Sequence, residues 1–284
     1  MPDLAGKTCV VTGATSGIGE ATALGLVRMG ARVVIVGRSQ ARGQATLARL
    51  QAAGSADRVD LRLADLASLA DIRRLADEIL ATCPRIHLLV NNAGVVNLHH
   101  RINADGFEET FAVNHLAYFA LTNRLLDRLV ASAPARIVNV SSEAHRFGPL
   151  DLDNLQSEGK YGAMRTYGRS KAANILFTRE LARRLEGTGV TVNAVHPGAV
   201  ASRLGAHNGW VGKLAMGLLK VFFQTPEKGA RTSLHVATAP ELDGVSGAYF
   251  ARCREKQPAA SACDSETAQR LWDASAQLTG TGSA

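Results

Sequence analysis

Tyr167-Gly168-Arg169-Ser170-Lys171 sets a phenol and an amine four residues apart. On a helix that spacing puts both on one face, one turn apart. An ammonium beside a phenol favours the phenolate, so the spacing predicts a Tyr167 with a lowered pKa, able to give and take a proton near neutral pH. The chain has four tyrosines, and no other has a lysine four places on. Standing by itself, the same spacing also suits an ordinary surface pair on a helix. Two hydroxyls, Ser141 and Ser142, follow the apolar run Arg136–Val140. Strand alternation turns only one of them toward a given face.

A second group of residues suits a dinucleotide. Thr12-Gly13-Ala14-Thr15-Ser16-Gly17-Ile18-Gly19 joins an apolar run to a helical stretch. Glycines let the backbone turn tightly against a pyrophosphate, and the free N–H groups of a helix start favour its charge. The spacing is G-x-x-x-G-x-G, not the usual G-x-G-x-x-G, so a plain glycine-rich turn is the competing reading. Val36-Gly37-Arg38-Ser39 is more discriminating. An NAD site wants a carboxylate at this place to hold the adenosine ribose. Arg38 stands there instead and suits a 2′-phosphate, so NADP(H) is expected over NAD(H), unless Arg38 is only a surface cation. Asp65-Leu66 brings a carboxylate beside the adenine amino group, or else Asp65 caps the helix starting near Ser68. Asn91-Asn92-Ala93-Gly94 offers small residues for backbone to lie against a cofactor, or amides that stabilise a turn.

The elements that must position these residues alternate along the chain. Strands are expected at Thr8–Thr12, Arg32–Val36, Val59–Leu63, Ile86–Asn91, Arg136–Val140, Val190–Val195 and Gly247–Phe250. Helices are expected at 17–30, 41–53, 68–82, 106–131 and 166–186. Strands apolar on both faces and alternating with helices predict a parallel sheet covered on two sides. The expected architecture is a single α/β domain over residues 1–284, a Rossmann-type doubly wound sheet of about seven parallel strands with helices on both faces. Residues 279–284 read as a flexible tail.

Composition narrows the classes. The chain has 284 residues, 46% of them hydrophobic, enough for a sizeable core, and no apolar run long enough to span a membrane. Met1–Lys7 has no apolar secretory core. The four cysteines (Cys9, Cys83, Cys253, Cys263) have no metal or redox spacing, which predicts free thiols in a reducing cytoplasm. The net charge of +7 is spread along helices, so no nucleic-acid partner is expected. Eight histidines without ligand spacing argue against a metal.

TGATSGIG at 12–19, NNAG at 91–94, Ser141-Ser142, YGRSK at 167–171 and HPG at 196–198 together resemble the short-chain dehydrogenase/reductase family. Asn154–Glu158, Ser170–Phe177 and Arg270–Asp273 are similar to its retinol-dehydrogenase-like branch. The resemblance implies a catalytic set of Asn114, Ser142, Tyr167 and Lys171. Tyr167 would be the general acid/base and Ser142 the hydrogen-bond donor to the substrate oxygen. Lys171 would tune Tyr167 and hold the nicotinamide ribose, and Asn114 would position a water beside Lys171. Pro197 ends a strand and Gly198 permits a sharp turn. The Val200 amide and Ser202 hydroxyl would then hold the nicotinamide carboxamide.

Trp210–Phe223 is apolar, with Lys213 and Lys220 on one face. It resembles the family's substrate lid, placed at about 202–226, and suits an apolar substrate. A helix lying on a membrane surface and a plain core helix are the alternatives. By analogy the chain is expected to form a homodimer or homotetramer through the helices carrying Asn114 and Tyr167. The function expected is hydride transfer between NADP(H) and a carbonyl or alcohol on an apolar, retinoid-, steroid-, polyketide- or aldehyde-like molecule. A nucleotide-sugar epimerase or dehydratase is a weaker reading. A non-catalytic NADP-binding sensor or scaffold would be expected to have lost Ser142, Tyr167 or Lys171.

Overall fold

Each apolar run folds into a strand shielded on both sides, and the strands share one sheet. The computed structural model describes residues 3–54, 56–198 and 225–282. Among these residues β1 (Thr8–Thr12), β2 (Arg32–Gly37), β3 (Val59–Leu63), β4 (Leu88–Asn91), β5 (Ala135–Val140), β6 (Val190–His196), β7 (Tyr249–Ala251) and β8 (Arg254–Glu255) run in the order β3-β2-β1-β4-β5-β6-β7-β8. All neighbours are parallel except β7 and β8. β1–β7 are the seven parallel strands expected, and beyond them the sheet has an eighth, antiparallel strand. The extra strand is two exposed residues after a two-residue turn, with no hydrophobic run to announce it.

The helices are α1 (Gly17–Arg28), α2 (Gln40–Ala53), α3 (Leu69–Thr82), α4 (109–130), α5 (Ala163–Arg184), α6 (Pro226–Thr238) and α7 (Ser265–Thr279). Period-2 alternation divides the sheet's side chains between two cores. Cys9, Val11, Val33, Ile35 and Val138 pack against Ala23, Leu26, Leu50 and Val236 of α1, α2 and α6. Val10, Val34, Leu89, Ile137 and Val192 pack against α3, α4 and α5, with Trp272 of α7 in the same cluster. β1 lies between β2 and β4, so the chain leaves it in opposite directions across the sheet. That switch point opens a crevice at the carboxyl ends of the strands, where Gly13, Asn92 and Ser142 all lie.

Of the expected tail, residues 279–282 are described. Thr279 is the last residue of α7 and is buried, and Gly280 ends the helix in the left-handed conformation. Gly282 accepts a hydrogen bond from Trp272 Nε1 at 3.2 Å. A closing glycine cap and an indole donor thus hold 279–282 in place. The nicotinamide-side residues Val200 and Ser202, and nearly all of the expected lid, lie outside the described residues. Of the lid only its end is described: Thr225 caps α6 and Pro226 begins it.

Candidate active site

Three chain segments carry Asn114, Ser142, Tyr167 and Lys171 into one place. α5 holds Tyr167 and Lys171 one turn apart, as the spacing predicts. Ser142, two residues beyond β5, is in extended conformation (φ −160°, ψ 155°) and caps the short 3₁₀ turn Glu143–Phe147. Its Oγ accepts the Ala144 N–H at 3.2 Å, which leaves the hydroxyl proton free to donate elsewhere. Ser142 also hydrogen-bonds the Tyr167 side chain. Ser141 is turned inward, 1% exposed, and donates to the Lys171 carbonyl at 2.8 Å. The pleat therefore decides between the two serines in the way alternation requires.

Gly168 sets how near α5 comes to Ser142. A Cβ there would lie 2.5 Å from the Ala144 oxygen and 3.0 Å from the Gly148 nitrogen, so only glycine lets the helix press on the 3₁₀ turn. Asn114 sits in a π turn, Ala112–Leu116, interrupting α4 between Glu109–Phe111 and Ala117–Val130. Such bulges cluster at functional sites. Its amide clamps the loop after β4: Oδ1 accepts from the Val95 N–H at 2.8 Å and Nδ2 donates to the Val95 oxygen at 3.0 Å. Nδ2 also donates to Ser170 Oγ at 2.9 Å, and Ser170 donates to the Tyr167 carbonyl at 2.7 Å. Asn114 is thus wired to the turn of α5 that bears Tyr167.

Electrostatics depart from the expectation. Burial pushes the Tyr167 phenol up to about 12, with only Ser142 pulling the other way. Burial also brings Lys171, 2% exposed, down to about 7. The amine is therefore close to half protonated at neutral pH, and its Nζ stands 5.6 Å from the Tyr167 ring centroid. Desolvation dominates the Tyr167 phenol, and no lowering by Lys171 is resolved beside it, unlike the expectation from the spacing. Lys171 Nζ donates to the Val140 carbonyl at 3.0 Å, the acceptor it shares with Asn174 Nδ2.

The expected dinucleotide residues fall along the crevice. Gly13 and Gly17 have φ of +64° and +57°, the left-handed turn the Gly-rich segment needs. Thr15 packs over Gly37, and Ser16, Ile18 and Gly19 lead into or begin α1. Asn92 spends its amide on structure, donating to the Thr12 oxygen at 2.9 Å and the Gly13 oxygen at 3.3 Å. Ala93 is buried, its N–H on Thr12 Oγ1. Gly94 brings the backbone after β4 close to the lysine. A Cβ there would stand 3.7 Å from Lys171 Nζ and 3.3 Å from Asn114 Oδ1. Arg38 is exposed beyond β2. Asp65 is exposed too and does not cap α3; Ser68 does, accepting the Asp71 N–H at 3.3 Å. Leu66 is buried in the core. Pro197 and Gly198 follow β6, and Gly198 has φ +89°. These residues can hold a dinucleotide from Gly13 to Gly94, with Arg38 free for a phosphate at the adenosine end.

Sequence reasoning missed Tyr118 and Ser170. Tyr118 is 1% exposed, donates to the Ala93 carbonyl at 2.7 Å, and puts its ring 5.6 Å from Lys171 Nζ. Lys171 is thus flanked by two tyrosine rings. The signal was a second i, i+4 relation, Asn114 to Tyr118, on the facing helix.

Residues 7–209 match the family model described as short chain dehydrogenase. Retinol dehydrogenase 14 of Mus musculus is 46% identical, over 97% of this chain and 86% of its own length. Retinol dehydrogenase 12 of Homo sapiens is 45% identical, over 98% and 87%. Among solved structures, an uncharacterised protein from Mycobacterium paratuberculosis superposes with a TM-score of 0.81 at 34% identity, covering 99% of this chain and 96% of that one. The NADP active-site complex of RhlG from Pseudomonas aeruginosa gives 0.70 at 30% identity, covering 88% and 95%.

Proposed function

The chain belongs to the short-chain dehydrogenase family and is an oxidoreductase, and from that premise we propose that it interconverts a carbonyl and an alcohol on an apolar small molecule using NADP(H). The observation that carries this reading is the convergence of Ser142, Tyr167, Lys171 and Asn114 at the carboxyl end of the sheet. A bound dihydronicotinamide supplies the hydride, which no side chain can. Tyr167 gives its hydroxyl proton to the carbonyl oxygen during reduction and takes it back during oxidation. Ser142, with its proton unspent on the Ala144 N–H, donates to that oxygen and stabilises its charge. Lys171 governs the phenol: a proton gained by its amine favours the phenolate, and a proton lost favours the phenol. Asn114 fixes the loop after β4 against α5 and so holds the lysine side of the crevice.

Arg38 supports NADP(H) over NAD(H), since a guanidinium at the end of β2 meets a 2′-phosphate and a carboxylate does not. The retinol dehydrogenases among the relatives support a substrate of retinoid, steroid, polyketide or aldehyde type. Four free thiols, Cys9 and Cys83 fully buried, support a reducing cytoplasm. No helix among the described residues is long and apolar enough to cross a membrane. A homodimer or homotetramer is the proposed assembly. α7 packs against α4 and α5, so any interface must accommodate it.

The test is NADPH oxidation with a panel of apolar aldehydes and ketones, comparing wild type with Tyr167→Phe. We expect turnover by the wild type and a loss of at least about a hundredfold in the variant. Equal turnover by both proteins, or tight NADPH binding with no turnover of any carbonyl, would favour a sensor or scaffold.

A further inference from the structure

Beside Ser142 lies a cavity of about 590 Å³ that the proton-transfer chemistry does not use. Its walls include Glu143, the residue after Ser142, and His196, the last residue of β6. Both belong to the carboxyl end of the sheet, so the cavity adjoins the crevice. Four cations line it: Arg146, Arg252, Arg254 and Lys256. The one carboxylate, Glu143, is already engaged by Arg146 Nε at 2.6 Å and the Tyr249 hydroxyl at 3.1 Å. His196 Nδ1 accepts the Glu143 and Gly198 N–H groups at 3.3 and 3.4 Å. Its ring proton therefore sits on Nε2, a further donor.

The wall is built rather than incidental. Arg252 and Cys253 form the β7–β8 turn with φ of +54° and +57°. Two-residue hairpin turns of this hand normally take Asn-Gly, and an arginine there is strained. Arg254 of β8 and Lys256 just after it line the cavity, and Glu255 between them does not. The 3₁₀ turn is pinned to this hairpin region. Arg146 donates to the Gln257 oxygen at 2.9 Å, and the Ala259 N–H donates to His145 Nε2 at 3.0 Å.

The geometry points to this cavity as the seat of a carboxylate or phosphate on the substrate itself, whose carbonyl reaches Ser142 and Tyr167. It rests on the reductase reading above and adds a substrate class: carbonyl compounds with an apolar body and an anionic end. Guanidinium forks bind such oxyanions with two parallel hydrogen bonds, and because Glu143, the residue after Ser142, lines the cavity, an anion seated there can belong to the molecule whose carbonyl meets Ser142.

Two measurements test it on the full chain. The first compares kcat/KM for ω-oxo fatty acids of graded length with alkanals of the same length, using wild type and Arg252→Gln/Arg254→Gln. We expect the acid to be preferred by about tenfold at one chain length, and that preference to fall to near one in the double variant. The second is calorimetric titration of inorganic pyrophosphate into protein saturated with NADP⁺, with expected binding in wild type and its loss in the double variant. Turnover of the alkanals by itself judges the reductase reading, and the pyrophosphate titration judges the cavity even without turnover. Equal preference in both proteins, or no difference in pyrophosphate binding, overturns the proposal.

Discussion

Burial keeps the Tyr167 phenol protonated and brings Lys171 to the middle of its titration near pH 7, and the lysine's side of that balance can be measured. Lys171 is protonated in the unfolded chain up to about pH 10.5, yet in the fold it loses its proton at about 7. Between those values the unfolded state binds more protons, so stability rises with pH across that window. Below pH 7 the native state bears the whole cost of a buried charge. Lys171→Met should therefore stabilise the cofactor-free chain by a few kcal/mol at pH 6, with a gain that vanishes near pH 10. The Val140 oxygen keeps its bond from Asn174, so no acceptor is orphaned. Urea unfolding of both proteins at the two pH values gives the answer, and an equal difference at both would show that Lys171 is not desolvated. Arg38 belongs to the same scale. It is exposed, so Arg38→Asp should leave the fold intact. We expect it to raise the apparent KM for NADPH by about tenfold or more and to improve NADH. An unchanged KM for NADPH would place the 2′-phosphate elsewhere.

Helix α5 and the 3₁₀ turn meet without a side chain between them, because Gly168 lies against the Ala144 oxygen. Gly168→Ala would set a methyl 2.5 Å from that backbone oxygen and force the elements apart. We expect a loss of stability of about 1–3 kcal/mol and a kcat lowered by at least about tenfold. The KM for NADPH should move much less, because Arg38 and the Gly-rich turn lie on other elements. A variant with full kcat would show that the approach of Tyr167 to Ser142 is not set here. This contact marks the boundary of what the sequence discloses. Strand positions and the 167/171 face follow from periodicities of 2 and 3.6, and β1 and β3 lie where those periods put them. That Ser141 and Ser142 face opposite ways follows from the same pleat. The π turn at Ala112–Leu116, the role of Gly168 and the ring of Tyr118 beside Lys171 do not, because each depends on which distant element arrives opposite. The Lys171 pKa is illegible for the same reason: spacing tells that two groups are near, whereas burial decides whether either is charged.

Across the whole molecule, α7 ties the end of the chain to the helices that bear the site. Trp272 is 4% exposed, with its ring 4.9 Å from Phe119 on α4 and stacked 5.9 Å from Phe177 on α5. The Arg184 guanidinium lies 4.2 Å from the indole, and the indole N–H holds the Gly282 carbonyl. One turn further on, Ser275 meets the ring of His115, the residue after Asn114, at 2.9 Å. Burial holds that imidazole down at about 4, so it stays neutral and imposes no charge on the packing. Trp272→Ala removes a side chain that packs on both site helices and leaves a cavity between them. We expect a loss of about 3–5 kcal/mol in urea unfolding. Because Tyr167 and Lys171 lie on α5 itself, kcat measured well below the new melting temperature should fall only a fewfold, while activity at higher temperature should vanish with the fold. A loss under about 1 kcal/mol would mean that α7 merely rests on the domain, and a complete loss of kcat in the folded variant would mean that it shapes the crevice directly.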